Sequence, residues 1–409
     1  MKNKVYLKFL PFLLLYAIIF FLNLHHQLVD DEVRFWISAS NITHGFYGDP
    51  STDYGFLWNG PGYPIFIALF QFLKLPFNVP KAFNILFLFI AVIYVYKTLL
   101  YFLPNKRAYY IACAFGLFYP IFMVSLLKLE VEVFSIMLTS LFSYALFTFH
   151  FCNKKKYFWL ASILLGYLIL SKIFFAPVII ICLVSLVLFY IFSKHRSAFK
   201  SYIIMLFLGI LFTFPYLAYT YSITGKVFYY SNAGGLSLYW MSTPYENETG
   251  DWLSFEHLPE GHFIKQNHKD FFNSIENLDP VEKDSALKKQ AIENIRNHKV
   301  KYLKNIGYNI ERLIIMMPTA FQTTKPSQHI IFFFPTIILF LLLVVSVSIS
   351  LFKIKTLPPL IVLLMLLSII YIGSVSLFSA VARYLHPIIP VLFIFISMVL
   401  AKPNKPIEK

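Results

Sequence analysis

Three adjacent acids, Asp30, Asp31 and Glu32, stand where the first apolar run of the chain ends, in "LHHQLVDDEVRFWISAS". A carboxylate there could take a proton from an acceptor hydroxyl, or hold a divalent cation against a phosphate. Solvating a helix end needs only one or two charges, so Asp31 and Glu32 stand out as a working pair. Two more acids, Glu130 and Glu132, open another apolar run in "LLKLEVEVFSIML". Residues spaced i,i+2 do not share a helical face, so the expectation is that one of them points at Asp31 across a cavity. The alternative is an ordinary acid at a helix end.

Basic groups near these acids are few: Arg34, Lys128, Lys172 and Arg383. Arg383 lies in "LFSAVARYLHPIIPVLFIF", where a guanidinium could grip a phosphate in bidentate fashion and Tyr384 and His386 could add hydrogen bonds. The competing reading is an arginine snorkelling to lipid headgroups; His386 as a metal ligand is a minor one. In "FLWNGPGYPIFIALF", Gly60, Pro61, Gly62 and Pro64 fix a tight turn. There Asn59 and Tyr63, with Arg34 nearby in sequence, are candidates for a pocket wall.

The elements that must carry these groups are membrane helices. Of the 409 residues, 58% are hydrophobic and 13% charged, with a mean hydropathy of +0.67. A soluble domain is nearer about 25% charged. Runs near residues 6–24, 82–103, 108–127, 133–152, 158–171, 173–192, 199–221, 330–352, 358–379 and 384–400 suggest about ten spans of roughly 20 residues each. The fold class expected is an all-α polytopic membrane protein. It would carry interfacial helices in the first loop between spans and a long, mixed loop later. Lys172 and Pro177 mark the turn between the two spans of "WLASILLGYLILSKIFFAPVIIICLVSLVLFYIF".

The net charge of +15 is dispersed over short links, which argues for anionic lipid and topology rather than nucleic acid. "MKNK", "NKRAYY", "CNKKKY", "SKHRSAFK", "FKIK" and "AKPNKPIEK" all fall on one side if the chain crosses ten times, and by the positive-inside rule that side is the cytoplasm. Both termini are then cytoplasmic. The opposite side carries the first loop (25 to about 80), "KLEVE", the long loop 222–329 and the turn before Arg383. The chain accordingly divides into 1–221, a membrane module with the first outer loop; 222–329, a large extracytoplasmic loop; and 330–409, closing helices and tail. Within the long loop, Ile292, Ile295, Leu303, Ile306 and Ile310 give residues 282–312 the period of an amphipathic interfacial helix.

Cys113, Cys152 and Cys182 have neither zinc-site nor CxxC spacing and are expected to be small buried hydrophobes. The first apolar run has no small-residue cleavage site and is expected to stay as a helix.

Six stretches, in order, resemble membrane glycosyltransferases of the C-type fold. That group includes bacterial relatives of the protein O-mannosyltransferases and the aminoarabinose transferase that modifies lipid A. "DDEVRFWISASNITHGFYG" is similar to their first loop, with its Asp-Glu pair, and "NGPGYPIFIALFQFL" to the element that follows. "KLEVEVFSIML" resembles their later acidic motif, and "GYLILSKIFFAPVII" a Gly…Ser-Lys…Pro element. "FPYLAYTYSITGKVFYYSNAGGLSLYWM" is similar to the passage into the large loop, and "ARYLHPIIP" to the closing Arg-Tyr…Pro…Pro signature. The aminoarabinose transferases carry a basic residue before the proline of the second motif. Here "LWNGPGYP" has none, which points to the broader sugar-transferase group.

The resemblance implies transfer of a sugar from a polyprenyl-phosphate carrier to a hydroxyl of a lipid, glycan or protein acceptor, with inversion. The expected site is outside the inner membrane of a bacterium. Asp31 would deprotonate or orient the hydroxyl, supported by Glu32. Arg383, Lys172 and Tyr384 would hold the donor phosphate. Glu130 or Glu132 would assist, or help hold a divalent cation (Mg or Mn), the one cofactor the resemblance admits. A polysaccharide polymerase or ligase using an undecaprenyl-linked substrate would lean on arginines and a histidine instead of a first-loop acid pair. A lipid-linked sugar flippase would bury charges at mid-membrane and show inverted repeats. Neither donor sugar nor acceptor is written in the motifs.

Overall fold

The structure, a computed structural model, describes residues 3–24, 27–49, 55–118, 120–121, 125–192, 196–315 and 326–400. It is helical throughout, with no strand among the described residues. The described part of the long loop is therefore helices joined by turns, where a mixed segment was expected.

Helix α1 (Asn3–Leu22) leads to two short helices, α2 (Asp31–Thr43) and α3 (Gly62–Phe72). Then come α4 (Asn78–Leu99), α5 (Asn105–Gly116), α6 (Val131–Cys152), α7 (Lys155–Ser171), α8 (Phe175–Phe192), α9 (Arg196–Phe212) and α10 (Phe214–Thr224). The long loop folds into α11 (Gly234–Met241), α12 (Phe263–Ile275), α13 (Pro280–Asn297) and α14 (Lys299–Ile315). The closing part comprises α15 (Pro326–Phe352), α16 (Pro359–Phe378), a 3₁₀ segment at Ala382–Ile388 and α17 (Ile389–Leu400).

Among the described residues, seven helical segments are long and apolar enough to cross a membrane, and α9 with α10, bent by 42°, makes an eighth if the pair is one span. The two remaining expected spans are shorter. In place of 108–127 stands α5, which stops at Gly116. There α1 crosses closely: the Tyr16 hydroxyl donates to the Gly116 carbonyl at 2.7 Å, and a β-carbon at Gly116 would strike the Phe12 ring. In place of 158–171 stands α7, whose 17 residues reach about 26 Å at 1.5 Å each. The break after α7 falls at Lys172, as the sequence suggests, and Pro177 sits in the first turn of α8, where its missing N–H costs nothing.

One apolar core joins α1 to α10 with α15 to α17. A second, smaller cluster lies among α11 to α13, built on Leu236, Tyr239, Trp240, Ile275, Leu287 and Ala291. Helix α13 begins where Asp279 accepts hydrogen bonds from Val281 N–H (2.8 Å) and Glu282 N–H (2.9 Å), just ahead of Pro280, an N-cap with proline at the first helical position.

The expected amphipathic helix over 282–312 is two helices, broken at His298. In α14 the buried stripe is polar: Lys301, Asn305, Asn309 and Arg312 pack inward, while Leu303 and Ile310 are exposed. Asn305 donates to the Met241 carbonyl (3.0 Å) and Asn309 to the Ser376 carbonyl (2.9 Å). An outward apolar stripe is the arrangement of a helix lying against lipid.

Of the cysteines, Cys182 is buried as expected, but Cys113 is only partly buried and Cys152 is exposed, because α6 ends at Cys152. The tail 401–409 and residues 193–195 of the "SKHRSAFK" link lie outside the described residues.

Candidate active site

Helix α2 starts with a reversal at Asp30, whose φ of +50° and ψ of −120° form a backbone conformation that glycine enters freely and a side chain only with strain. The next two residues are separated by about 100° around the helix, and their carboxylates go to different places.

Asp31 reaches Arg383 at 2.6 Å, across 352 positions of sequence, and Arg34 at 2.9 Å. Arg34 also stacks its guanidinium over the Trp58 ring at 4.3 Å. Glu32 is instead enclosed. One oxygen meets Lys81 Nζ at 2.8 Å and the Leu129 N–H at 2.6 Å, and the other accepts from the Val29 N–H at 3.2 Å. Lys81 and Glu32 are almost wholly buried. Glu32 thus ties α2 to the start of α4 and to the segment before α6.

Both Glu130 and Glu132 face the same cluster, although alternate helical positions diverge. The reason is that Glu130 precedes α6 in extended backbone (φ −123°, ψ 160°), so helical spacing does not govern it. Glu130 bonds Arg383 and lies 3.4 Å from Lys128. Its second oxygen is buried with no hydrogen-bond partner. Glu132, in the first turn of α6, pairs with Lys172 at 2.7 Å.

Lys172 projects from the break after α7, and its ammonium lies 4.5 Å from the centre of the Tyr384 ring. The Tyr384 carbonyl accepts from the Tyr371 hydroxyl at 2.6 Å, which fixes the 3₁₀ segment carrying Arg383. Tyr384 therefore meets the cluster as a ring beneath a cation, a favourable arrangement. His386 is buried with Nδ1 2.7 Å from Ser125 Oγ, so it locks the 3₁₀ segment to the 125–130 segment.

The glycine-proline turn supports the same end of the bundle. Gly60 and Gly62 abut Leu170 and Ser171; a β-carbon at Gly62 would fall 2.7 Å from the Ser171 nitrogen. The Tyr167 hydroxyl donates to the Gly62 carbonyl at 2.8 Å. Tyr63 is fully buried, and its hydroxyl and the Asn59 amide nitrogen have no hydrogen-bond partner. Tyr63 lies within electrostatic reach of Glu32, Glu130 and Glu132.

Burial by itself would raise the Asp31 carboxyl, but the Arg383 and Arg34 guanidiniums outweigh it and hold the group below the ordinary carboxylate range. At Glu130 the balance is opposite: burial pushes the carboxyl up against the pull of Arg383. In this cluster Arg34, Lys128, Lys172 and Arg383 meet Asp31, Glu130 and Glu132, an excess of positive charge. Among the described residues no group of His, Cys, Asp or Glu gathers in a way that could hold a metal ion. Asp31, Glu130 and Glu132 each turn to a lysine or arginine of the chain.

Sequence reasoning missed Lys81, Ser125 and Tyr371. Lys81 had a signal, a lysine at the very mouth of a span, where charge is costly without a partner. Ser125 and Tyr371 had none.

Residues 60–219 match the family described as dolichyl-phosphate-mannose-protein mannosyltransferase. No curated protein matches the chain. The matched stretch holds Tyr63, Lys81, Lys128, Glu130, Glu132 and Lys172. It supports, in general terms, a multi-pass membrane glycosyltransferase that draws on a lipid-phosphate-linked sugar. Asp31 and Arg383 lie outside it, one on each side, and Glu130 inside it touches Arg383.

Proposed function

We propose that this chain transfers a sugar from a polyprenyl-phosphate carrier to a hydroxyl of an envelope acceptor, with inversion, on the outer face of a bacterial inner membrane. The observation that carries this reading is the contact of Asp31 with Arg383 at 2.6 Å. It brings the first-loop acid and the closing basic motif together in a cluster where cations outnumber acids.

The acceptor oxygen attacks the anomeric carbon, and the bond from that carbon to the phosphate oxygen breaks. The phosphate departs with the electron pair as polyprenyl phosphate. It is already acidic enough to leave unprotonated, so what it needs is positive charge in a water-poor site. Arg383 and Lys172 supply that charge, and the Tyr384 ring keeps the Lys172 ammonium in place. Asp31 accepts a hydrogen bond from the acceptor hydroxyl and takes its proton as the new bond forms. Its depressed affinity for protons suits orienting the hydroxyl early and accepting the proton late. Glu32 acts through position, since both its oxygens are spent on Lys81 and backbone. Glu130 and Glu132 neutralise Arg383 and Lys172 until the phosphate arrives.

The test is mass spectrometry of envelope glycolipids and glycoproteins from cells lacking the protein. The expected result is loss of one sugar from one acceptor class, restored by the intact gene. Unchanged glycans together with altered transport of a lipid-linked precursor would replace this reading with a flippase.

A further inference from the structure

The chain leaves its bent span at Thr224, where Gly225 adopts φ +67° and ends α10. The residues that follow do not tuck under. Val227 and Phe228 are 73% and 68% exposed, and Phe228 is held at φ +55°, a region that a bulky side chain enters only at a cost in strain. Lys226 turns the other way, donating to the Val281 carbonyl at 3.3 Å and to the Ser285 hydroxyl.

Ser285, Lys288, Lys289 and Ile292 follow at helical spacing on one face of α13. With Lys226, Val227 and Tyr229 they line an open pocket of about 590 Å³. Its nearest acid, Asp284, is buried with its oxygens on the Gly235 N–H (2.6 Å) and the Tyr229 hydroxyl (2.9 Å), and Lys288 stands 3.8 Å away. Glu282 and Glu293 of the same helix form no part of the lining. Three lysines, Lys226, Lys288 and Lys289, thus line the pocket together with the apolar Val227 and Ile292 and the Tyr229 ring.

Its height is set by the fold, because it begins two residues after a span ends. The neighbouring α14 also exposes Val300 and Leu303, at 70% and 65%. Lysines beside protruding apolar side chains at the end of a span match the level of lipid phosphates above acyl chains. A soluble anion would require the lysines but give no reason for a strained, outward-turned phenylalanine next to them.

We propose that this pocket binds the phosphate headgroup of an anionic membrane lipid, with Val227 and Phe228 inserted among the tops of its chains. It shares no residue with the Asp31–Arg383 cluster, and no chemistry occurs in it. Its effect is to hold the α11–α14 segment against the bilayer.

The test is native mass spectrometry of the full chain in detergent, titrated with phosphatidylglycerol or phosphatidylcholine. The intact protein should bind phosphatidylglycerol more tightly. Losing two lysines at about 1 kcal/mol each, Lys288→Ala/Lys289→Ala should weaken that binding about thirty-fold and leave phosphatidylcholine unchanged. Lys288→Arg/Lys289→Arg should keep the preference, which separates loss of charge from damage to the fold. Phe228→Ser should weaken both lipids. An intact preference in the double alanine variant would overturn the proposal, as would its loss in the double arginine variant. Displacement of phosphatidylglycerol by millimolar inorganic phosphate would show a soluble-anion site instead.

Discussion

Removing Lys81 should expose how the two adjacent acids divide their work. Lys81 and Glu32 are 1% and 2% exposed at the side chain and 2.8 Å apart. Lys81→Met leaves a buried carboxylate with backbone N–H groups but no cation, and breaking such a pair costs about 3–5 kcal/mol. Glu32→Gln alone strands the ammonium at a similar cost. The double variant Glu32→Gln/Lys81→Met removes both charges, and the glutamine oxygen can still accept from the Leu129 N–H. It should be no less stable than the worse single variant, a coupling of at least about 3 kcal/mol. Equilibrium unfolding in mixed micelles, followed by tryptophan fluorescence, measures all three. Additivity to within about 0.5 kcal/mol would refute the buried pair as the tie between α2 and α4. Under the same account the double variant retains sugar transfer, because Glu32 touches no substrate.

Three further outcomes follow from the site. Arg383→Lys should lower kcat at least about tenfold with the fold intact, because one ammonium cannot serve Asp31, Glu130 and a phosphate as a fork of donors does; steady-state kinetics with a lipid-phosphate donor measure it. Asp31 has a lowered folded-state affinity for protons, so its contribution is present above the free value of about 3.9 and fades only as pH falls through the lower folded value. The profile of kcat/KM should thus show no acid limb from Asp31 between about pH 5 and 8, and a limb centred near about 6 that disappears in Asp31→Asn would contradict this. Gly62→Ala should destabilise the protein by about 1–3 kcal/mol through overpacking against Ser171 and reduce transfer by displacing Lys172, read by thermal melting and activity together.

The sequence made the frame legible because membrane spans announce themselves by length and apolarity. It was less clear about α5 and α7, since apolar runs do not reveal that α1 crosses at Gly116 or that α7 stops at 17 residues. Asp31, Arg383, Lys172 and both glutamates were legible as costly charges at span ends. Their pairing was not, because Asp31 and Arg383 are brought together only by the closure of the whole bundle. The spacing rule for Glu130 and Glu132 failed for a local reason, Glu130 lying outside the helix. Tyr384 was legible as a neighbour of the cluster, but not that its ring would lie against the Lys172 ammonium. In α14 the period was visible, but only the fold shows that its polar stripe is the one that packs.

The most direct measurement is sugar transfer from a polyprenyl-phosphate donor by Asp31→Asn in nanodiscs, with insertion and melting temperature matched to the intact protein. Loss of a positioned base is worth about 10²–10⁴-fold in rate, so transfer should fall by at least about a hundredfold while donor binding persists. Full transfer by Asp31→Asn would contradict the central claim.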